Sequence, residues 1–373
     1  MVTGNRGPQQ GEGQGDVTAA TPGHLGRDLW RVGGLVAVAL VLAACSGGPA
    51  DVPTSTVPAT VEPDKAGPPD PAIPLAWPLT GVPVDEVDDR PALAVKIENL
   101  PQARPQTGLE QADMVWEEVV EGGITRFVAV YHSQSPETVG PVRSVRPMDP
   151  AIVGPTHGVL AFSGGQPSFV EAVRAAGIQT VVHDEGDDGF FLKKGKRAPH
   201  NLYGTPADFW AQADDDRTAP PTQLRHVRIP GQGTATTTGA PLSLLDVKLT
   251  FASRAQWIWD AEQAAFLRNE GTTPAVSSDG TRLSAQNVVV LSVEVRDTQF
   301  KDPAGTPVSE TLLVGSGDGL VASGGKHVAV TWSQESVDEP LVLTGPDGEP
   351  VLLEQGVTWV ELVPRKGGSW TVS

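Results

Sequence analysis

The sequence predicts an α+β / α/β N-terminal domain with a mixed sheet and a βαβ unit, followed by a mainly antiparallel β C-terminal domain. Three observations carry that reading. Residues 158–184 run as an apolar strand, GVLAFSGG, a helix, QPSFVEAVRAAG, and a second strand, IQTVVHD. Residues 112–131 read as two strands around Gly122-Gly123. Beyond residue 243 the apolar runs are short, and turn signals such as Gly317-Asp318-Gly319 and Gly345-Pro346-Asp347-Gly348 separate them.

The chain begins with an address. In GRDLWRVGGLVAVALVLAAC, residues 26–45, Arg27 and Arg31 precede an uncharged run from Val32 to Ala44. That run is too short to cross a bilayer, which takes about 20 residues of helix. It closes on Leu42-Ala43-Ala44-Cys45, which resembles the lipobox of bacterial lipoprotein signal peptides. What the resemblance implies is cleavage after residue 44 and a diacylglyceryl group on Cys45, a two-chain anchor that holds stably to a membrane. Residues 1–44 are therefore expected to be a signal segment with a polar N-terminal extension. Residues 45–75, rich in Pro and Thr, bury too little apolar surface to fold and are expected to be a tether. Its span is about 30 Å as a flexible coil and about 90 Å if polyproline-like.

Charge narrows the partners. Lys and Arg number 27 against 45 Asp and Glu, a net charge of −18. Removing residues 1–44 takes three basic and three acidic residues, so the mature charge is still 24 − 42 = −18. Such a field repels nucleic acid and anionic lipid, so no nucleic-acid partner is expected and the body stands off the membrane. With Cys45 the single cysteine, no intramolecular disulfide can form.

The first domain is expected over residues 76–212. Leu93 to Ile97 forms a strand ending at Glu98-Asn99, and Pro101 and Pro105 keep the next stretch out of helix. Gly122-Gly123 reads as a two-residue hairpin turn, which pairs Val119 with Arg126 and places Glu117 and Glu121 on the face of Arg126. Arg126 is then expected to be neutralised internally. Arg143 and Arg146 lie in the Pro-bounded segment 141–147, and their planar guanidinium groups suit either ion pairs or an anionic ligand. The helix of the βαβ unit has Pro167 in its first turn and Gly177 past its end, and its strands are expected to be parallel. The amides of Ser163-Gly164-Gly165 could receive an anion, although the loop lacks a phosphate-loop lysine. Thr205, Pro206 and Asp208 predict a capped helix, preceded by an extended segment with His200 and Asn201. No His, Asp or Glu spacing matches a zinc motif, so neither metal nor cofactor is expected.

The chain resembles the YerB-like bacterial lipoprotein family, a domain family of unknown function. The matching stretches are PLTG, RPALAVKIEN, ARPQTGLEQADMVWEEVVEGGITRF, GPVRSVRP and APHNLY, then AQNVVVLSVEV, LLVGSGDGL, VTWSQES and GVTWVELVP. The resemblance implies a lipid-anchored extracytoplasmic protein with two family domains, and it brings no reaction or substrate with it.

Residues 213–242 are expected to be a low-complexity linker, 243–366 the second domain and 367–373 a tail. Trp257, Trp259, Trp332 and Trp359 fall in its strands and are expected to pack in the interior, although exposed tryptophans could stack on sugars. The leading functional expectation is a non-enzymatic envelope module that binds a cell-wall polymer or a membrane-anchored wall-synthesis enzyme. Its ligand contacts are expected from Glu98, Asn99, Arg104, Arg126, Arg143, Arg146, His200 and Asn201. The alternative is a hydrolase or transferase acting on glycan or peptide, with Glu98, Glu117 or Glu121 as acid or base and His200 assisting. Solute capture for a transporter is weaker, since the two halves do not look alike.

Overall fold

Three consecutive strands, β1 (Leu93–Glu98), β2 (Met114–Val119) and β3 (Thr125–Tyr131), are buried along their entire length. Covered on both faces, they read as nearly continuous apolar runs instead of alternating ones. The structure is a computed structural model describing residues 74–302 and 304–373. The expected signal segment, Cys45 and nearly all of the expected tether lie outside the described residues. After β3 come α1 (Asp149–Val153), β4 (Val159–Phe162), α2 (Pro167–Ala175) and β5 (Gln179–Val182). A small hairpin of β6 (Phe190–Leu192) and β7 (Leu202–Gly204) follows, then α3 (Pro206–Trp210). Thr205 is the N-cap of α3 and Pro206 opens it, but the Thr205 hydroxyl makes no capping bond, contrary to the capping pair expected.

The later chain supplies α4 (Thr234–Thr238), β8 (Ala240–Pro241), β9 (Leu244–Lys248), β10 (Arg254–Asp260) and β11 (Ala265–Glu270). Then come β12 (Thr273–Pro274), β13 (Ser284–Ala285), β14 (Asn287–Lys301), β15 (Pro307–Leu312) and β16 (Gly315–Ser323). The last four are β17 (Lys326–Gln334), β18 (Val342–Thr344), β19 (Thr358–Pro364) and β20 (Ser369–Val372).

The main sheet has twelve strands in the order β18-β17-β16-β14-β19-β2-β3-β1-β4-β5, with β15 on β14 and β8 on β17. Strands β4 and β5 are parallel, as the βαβ pattern requires, and β1 is parallel to β4. Strand β19 runs parallel to both β14 and β2, so it closes the gap between the two sequence segments. The described residues accordingly form one compact unit. Within residues 213–242, Leu224 and Val227 are buried, and His226 bridges to Leu353. In the expected tail, β20 pairs antiparallel with β9. A second sheet, β12-β11-β10-β9-β20 with β13 on β11, is antiparallel throughout.

Two cores result, one on each face of the main sheet. On one face Met114, Trp116, Val128 and Leu160 pack with Ile152 of α1 and Phe169 of α2. On the other, Val95, Val115, Phe127 and Trp359 pack with Trp257, Phe266 and Leu245 of the second sheet. Trp257, Trp332 and Trp359 are all interior residues, whereas Trp259 is half-buried against Phe266. Trp359 stands edge-on to Phe127 at 5.3 Å and to Trp257 at 5.2 Å, joining the two sheets. Replacing it by Ala leaves a cavity at this junction, and Trp359→Ala is expected to lower the unfolding free energy by about 3–5 kcal/mol in urea titrations. A loss below about 1 kcal/mol would show that the junction does not depend on the ring.

Candidate functional site

The polar centre begins with a turn. Gly122 and Gly123 both adopt positive φ, which only glycine does without strain, and Glu121 joins them in a three-residue loop. The Val120 N–H donates to the Ile124 carbonyl at 2.9 Å across it. The loop is one residue longer than the turn expected, and the register shifts accordingly. Arg126 pairs with Glu118, and Val119 with Thr125. A one-residue slip moves every side chain to the opposite face. Glu117 therefore leaves the face of Arg126, and Glu118 takes its place.

Arg126 is flanked in register by Glu98 of β1 and Glu118 of β2, yet it pairs with neither. Glu118 turns to Lys96, whose ammonium also donates to Asp149 at 2.6 Å, all three side chains being fully buried. Glu98 turns to His200, whose Nδ1 lies 2.9 Å from its carboxylate, and to Arg143 at 3.6 Å. Glu121, the other expected partner, pairs with Arg146 at 2.5 Å. Among the described residues no carboxylate lies within ion-pair distance of Arg126; its Nη1 donates to the Ser144 carbonyl at 2.7 Å. Internal neutralisation of Arg126 by Glu117 and Glu121 is thus overturned by the register. Burial and the neighbouring charges of Arg146 and Arg143 push the Arg126 guanidinium down to about 9.

The opposite face of the same strands holds a different network. Glu117 of β2 lies beside Glu361 of β19, and both reach Arg268 of β11. Arg268 bonds Glu117 at 2.5 Å, Glu361 at 2.7 Å and Glu270 at 3.0 Å, with no exposed side-chain surface. The rings of Trp359, Trp257 and Phe127 surround its guanidinium at 4.6, 5.2 and 5.3 Å. Two carboxylates side by side in a dry interior cannot both ionise cheaply. Burial and the Glu117 charge raise Glu361 to about 8, while the arginine holds Glu117 below its ordinary range despite burial. Glu118 is likewise raised to about 8, by burial and by Asp149.

Asn99 and Arg104 belong to this second network. Asn99 donates to Glu117 at 3.1 Å and to Thr125 at 2.9 Å. Arg104 donates to the Asn99 side chain at 3.0 Å and pairs with Glu270 at 2.7 Å. The pair borders a groove of about 370 Å³ lined by Pro105, Gln106, Pro274 and Val276. Asn201 is engaged through its backbone carbonyl, which accepts from Lys193 at 2.8 Å.

Glu98, Arg126, Arg143, Arg146 and His200 converge at one end of the sheet. Strands β1, β4 and β5 are mutually parallel, and β2 shares their direction because both β1 and β2 are antiparallel to β3. Glu98 ends β1, Glu121 follows β2 and Ser163 follows β4, so all stand at the carboxyl end of the sheet. The segment from Pro141 to Val145 threads between the ends of β1 and β4. Glu98 N–H donates to Pro141, Arg143 N–H to Lys96, Ser163 N–H to Arg143 and Val145 N–H to Gly164, at 2.9, 2.9, 3.0 and 3.0 Å. In open α/β sheets the crevice outside the carboxyl ends of the strands is where ligands sit. The Ser163-Gly164-Gly165 loop is less suited to an anion than the sequence suggested. A Cβ on Gly164 would lie 2.0 Å from a carboxylate oxygen of Asp184, so that side of the loop carries negative charge. Among the described residues no group of three or more His, Cys, Asp or Glu is placed to hold a metal ion.

Several participants were not singled out from the sequence: Lys96, Glu118, Asp149, Arg268, Glu270 and Glu361. The available signal was a charge in the middle of an apolar strand, as in LAVKIE, AFLRNE and TWVELVP. Such a residue is buried, and a buried charge requires a partner.

One mixed sheet shared by two sequence segments, with an ionic network on each face, defines a two-segment α/β and β protein. The chain belongs to the family of proteins of unknown function DUF3048: the N-terminal domain of that family matches residues 79–219 and the C-terminal domain matches residues 246–360. It is 27% identical over 315 residues to YerB of Bacillus subtilis (strain 168), a protein provisionally named a lipoprotein, covering 79% of this chain and 88% of that one. The crystal structure of the Bacillus subtilis YerB protein has the same fold, with a TM-score of 0.68 at 24% identity, over 80% of this chain and 99% of that one.

The raised carboxyls make stability depend on pH in a defined direction. Between the ordinary glutamate value of 4.5 and about 8, the folded chain keeps protons on Glu118 and Glu361 that the unfolded chain has released. Their contribution is therefore full below that window and lost as pH rises through it. Glu361→Gln keeps a neutral donor beside Glu117 and is expected to remove about half of this decline, read by urea unfolding at pH about 5 and about 9. An unchanged decline would show that Glu361 is ionised in the fold. Arg268→Met, which leaves Glu117 uncompensated, is expected to cost about 3–5 kcal/mol in the same measurement.

Proposed function

We propose that this chain is a lipid-anchored extracytoplasmic binding module of a bacterial cell envelope, engaging a cell-wall polymer or a membrane-anchored wall-synthesis protein. The observation that carries the reading is the meeting of Glu98, Arg126, Arg143, Arg146 and His200 at the carboxyl end of the sheet. Three residues there, Arg143, Ser144 and Ser163, are half-buried, so the centre borders solvent while its deeper charges are held by backbone and side-chain bonds. The lipobox-like end at Cys45 and the lipoprotein naming of the Bacillus subtilis relative support the anchor. A Pro-rich stretch after Cys45 gives the body reach toward the wall, and its charge keeps it off the anionic leaflet.

A second reading, a hydrolase or transferase, draws support from the Glu98–His200 pair alone. Glu117 is sealed against Arg268 and Glu121 is tied to Arg146, so neither is poised as the second carboxylate of a glycosidase. Binding without chemistry fits this arrangement better.

Two measurements test the proposal. Cys45→Ser is expected to move the chain from the membrane fraction to the soluble fraction after cell lysis; an unchanged distribution would remove the lipid anchor. The chain beginning at residue 46 is expected to retain purified wall sacculi or a membrane-protein fraction, with retention falling at least about tenfold for Arg143→Ala, a loss of about 1.4 kcal/mol. Equal retention by both forms would remove the arginine centre from the interface.

A further inference from the structure

The ionic networks are unequally balanced, and the imbalance is local. Around Arg268, the cations Arg268 and Arg104 face the anions Glu117 and Glu270, with Glu361 held protonated. Around Lys96, the one cation faces Asp149, with Glu118 held protonated. Each of these sums to zero. At the carboxyl end of the sheet, Arg126, Arg143 and Arg146 share two ion-paired carboxylates, Glu98 and Glu121, with Glu118 in register beside Arg126 and bonded to Lys96 instead; apart from His200, one positive charge is left over among these pairs, 3 − 2 = 1. The surplus falls on Arg126, which is 5% exposed and lacks a carboxylate partner among the described residues. A buried cation without a counter-charge is costly in a chain with 45 acidic residues available to neutralise it.

Further donors stand close to Arg126 on its solvent side, beside the carboxylates of Glu98 and Glu118 that flank it in register. Its Nη1 is fixed by the Ser144 carbonyl at 2.7 Å, which holds the guanidinium in one orientation. The Ser144 and Ser163 hydroxyls lie 3.1 Å apart on the two backbone segments that meet there. Arg143 stands next in sequence, half-buried, held at 3.3 Å by the Pro199 carbonyl and only loosely by Glu98 at 3.6 Å. We infer that Arg126, with Arg143, Ser144 and Ser163, receives the phosphate group of a phosphodiester-bearing ligand. The inference rests on the envelope-binding reading and specifies the group that is recognised.

The choice of phosphate follows from donor number and charge. Two guanidinium groups and two hydroxyls offer more hydrogen bonds than the two coplanar oxygens of a carboxylate receive, whereas tetrahedral phosphate oxygens take donors from several directions. Guanidinium also matches phosphate as a fork, which an ammonium does not. A phosphodiester carries one negative charge, equal to the surplus. A dianionic phosphate monoester overshoots it and meets Glu98 and Glu121.

Isothermal titration calorimetry at physiological ionic strength separates the sources. The chain beginning at residue 46 is titrated with a glycerol-phosphate oligomer, with inorganic phosphate and with an oligogalacturonate of matched length. Binding of the glycerol-phosphate oligomer is expected to exceed that of either other probe at least about tenfold, and to fall at least about tenfold in Arg126→Gln. Arg143→Gln, at a half-exposed position, is expected to weaken it in the same direction. Arg228→Gln, at an exposed position away from the centre, is expected to leave it unchanged, and circular dichroism checks that each variant folds. Equal binding of the oligogalacturonate, or binding indifferent to both Arg126→Gln and Arg143→Gln, overturns the inference. If wall material is retained through Arg143 but no phosphate probe binds, the phosphate assignment falls and the envelope reading stands. If the oligomer binds through Arg126 while wall retention is indifferent to Arg143, the envelope reading falls and the anion site stands.

Discussion

The guanidinium of Arg268 joins the two sheets. It leaves the second sheet from β11 and meets Glu117 and Glu361 on adjacent strands of the main sheet, inside a ring of Trp359, Trp257 and Phe127. A charge this deep persists only because each of its directions is filled, by a carboxylate or by the face of an aromatic ring. Glu117 lies in the N-terminal family segment and Glu361 on β19, one residue past the matched C-terminal segment, so the bond depends on β19 lying beside β2. Glu361 also accepts from the Trp257 indole N–H at 2.9 Å, tying the aromatic ring to the ionic pair. Removing any one member exposes the others to a dry environment without compensation.

The same logic acts on the other face with a different result. Lys96 and Asp149 close on each other, and burial together with the Asp149 charge holds the proton on Glu118 despite Lys96 and the neighbouring Arg126. Asp149 also accepts the Arg146 backbone N–H at 2.6 Å, which locks the Pro-bounded segment onto α1. Three arginines are thereby fixed around the carboxyl end of the sheet by bonds that leave Arg126 without a counter-charge. The centre is rigid on its deep side and open on the side of Arg143, Ser144 and Ser163.

Much of the fold was legible in the residues. The βαβ unit followed from an apolar strand, a helix with Pro167 at its start and Gly177 past its end, and a second strand, and β4 and β5 are parallel as expected. The interior tryptophans followed from their place in strands. The site was legible in part: Glu98, Arg126, Arg143, Arg146 and His200 do meet, whereas Asn99, Arg104 and Glu117 serve the Arg268 network on the opposite face. The expected partners of Arg126 failed at one point, the length of the turn. Gly122-Gly123 is compatible with a two-residue or a three-residue loop, and the glycines alone do not choose between them. That single residue decides which glutamate faces the arginine.

From the sequence alone come the alternation of strands and helices in the first segment, the β character of the second, the acidic charge, the lipobox-like address and the family. These are local properties, set by residue type, spacing and composition. The tertiary structure alone decided that β19 joins the two segments, that Glu361 neighbours Glu117, and that Arg268 reaches across from the second sheet. It also decided that Arg126 stands between two carboxylates that pair elsewhere. Each of these is a contact between residues far apart in the chain, and no local periodicity encodes which distant charge will close an ion pair.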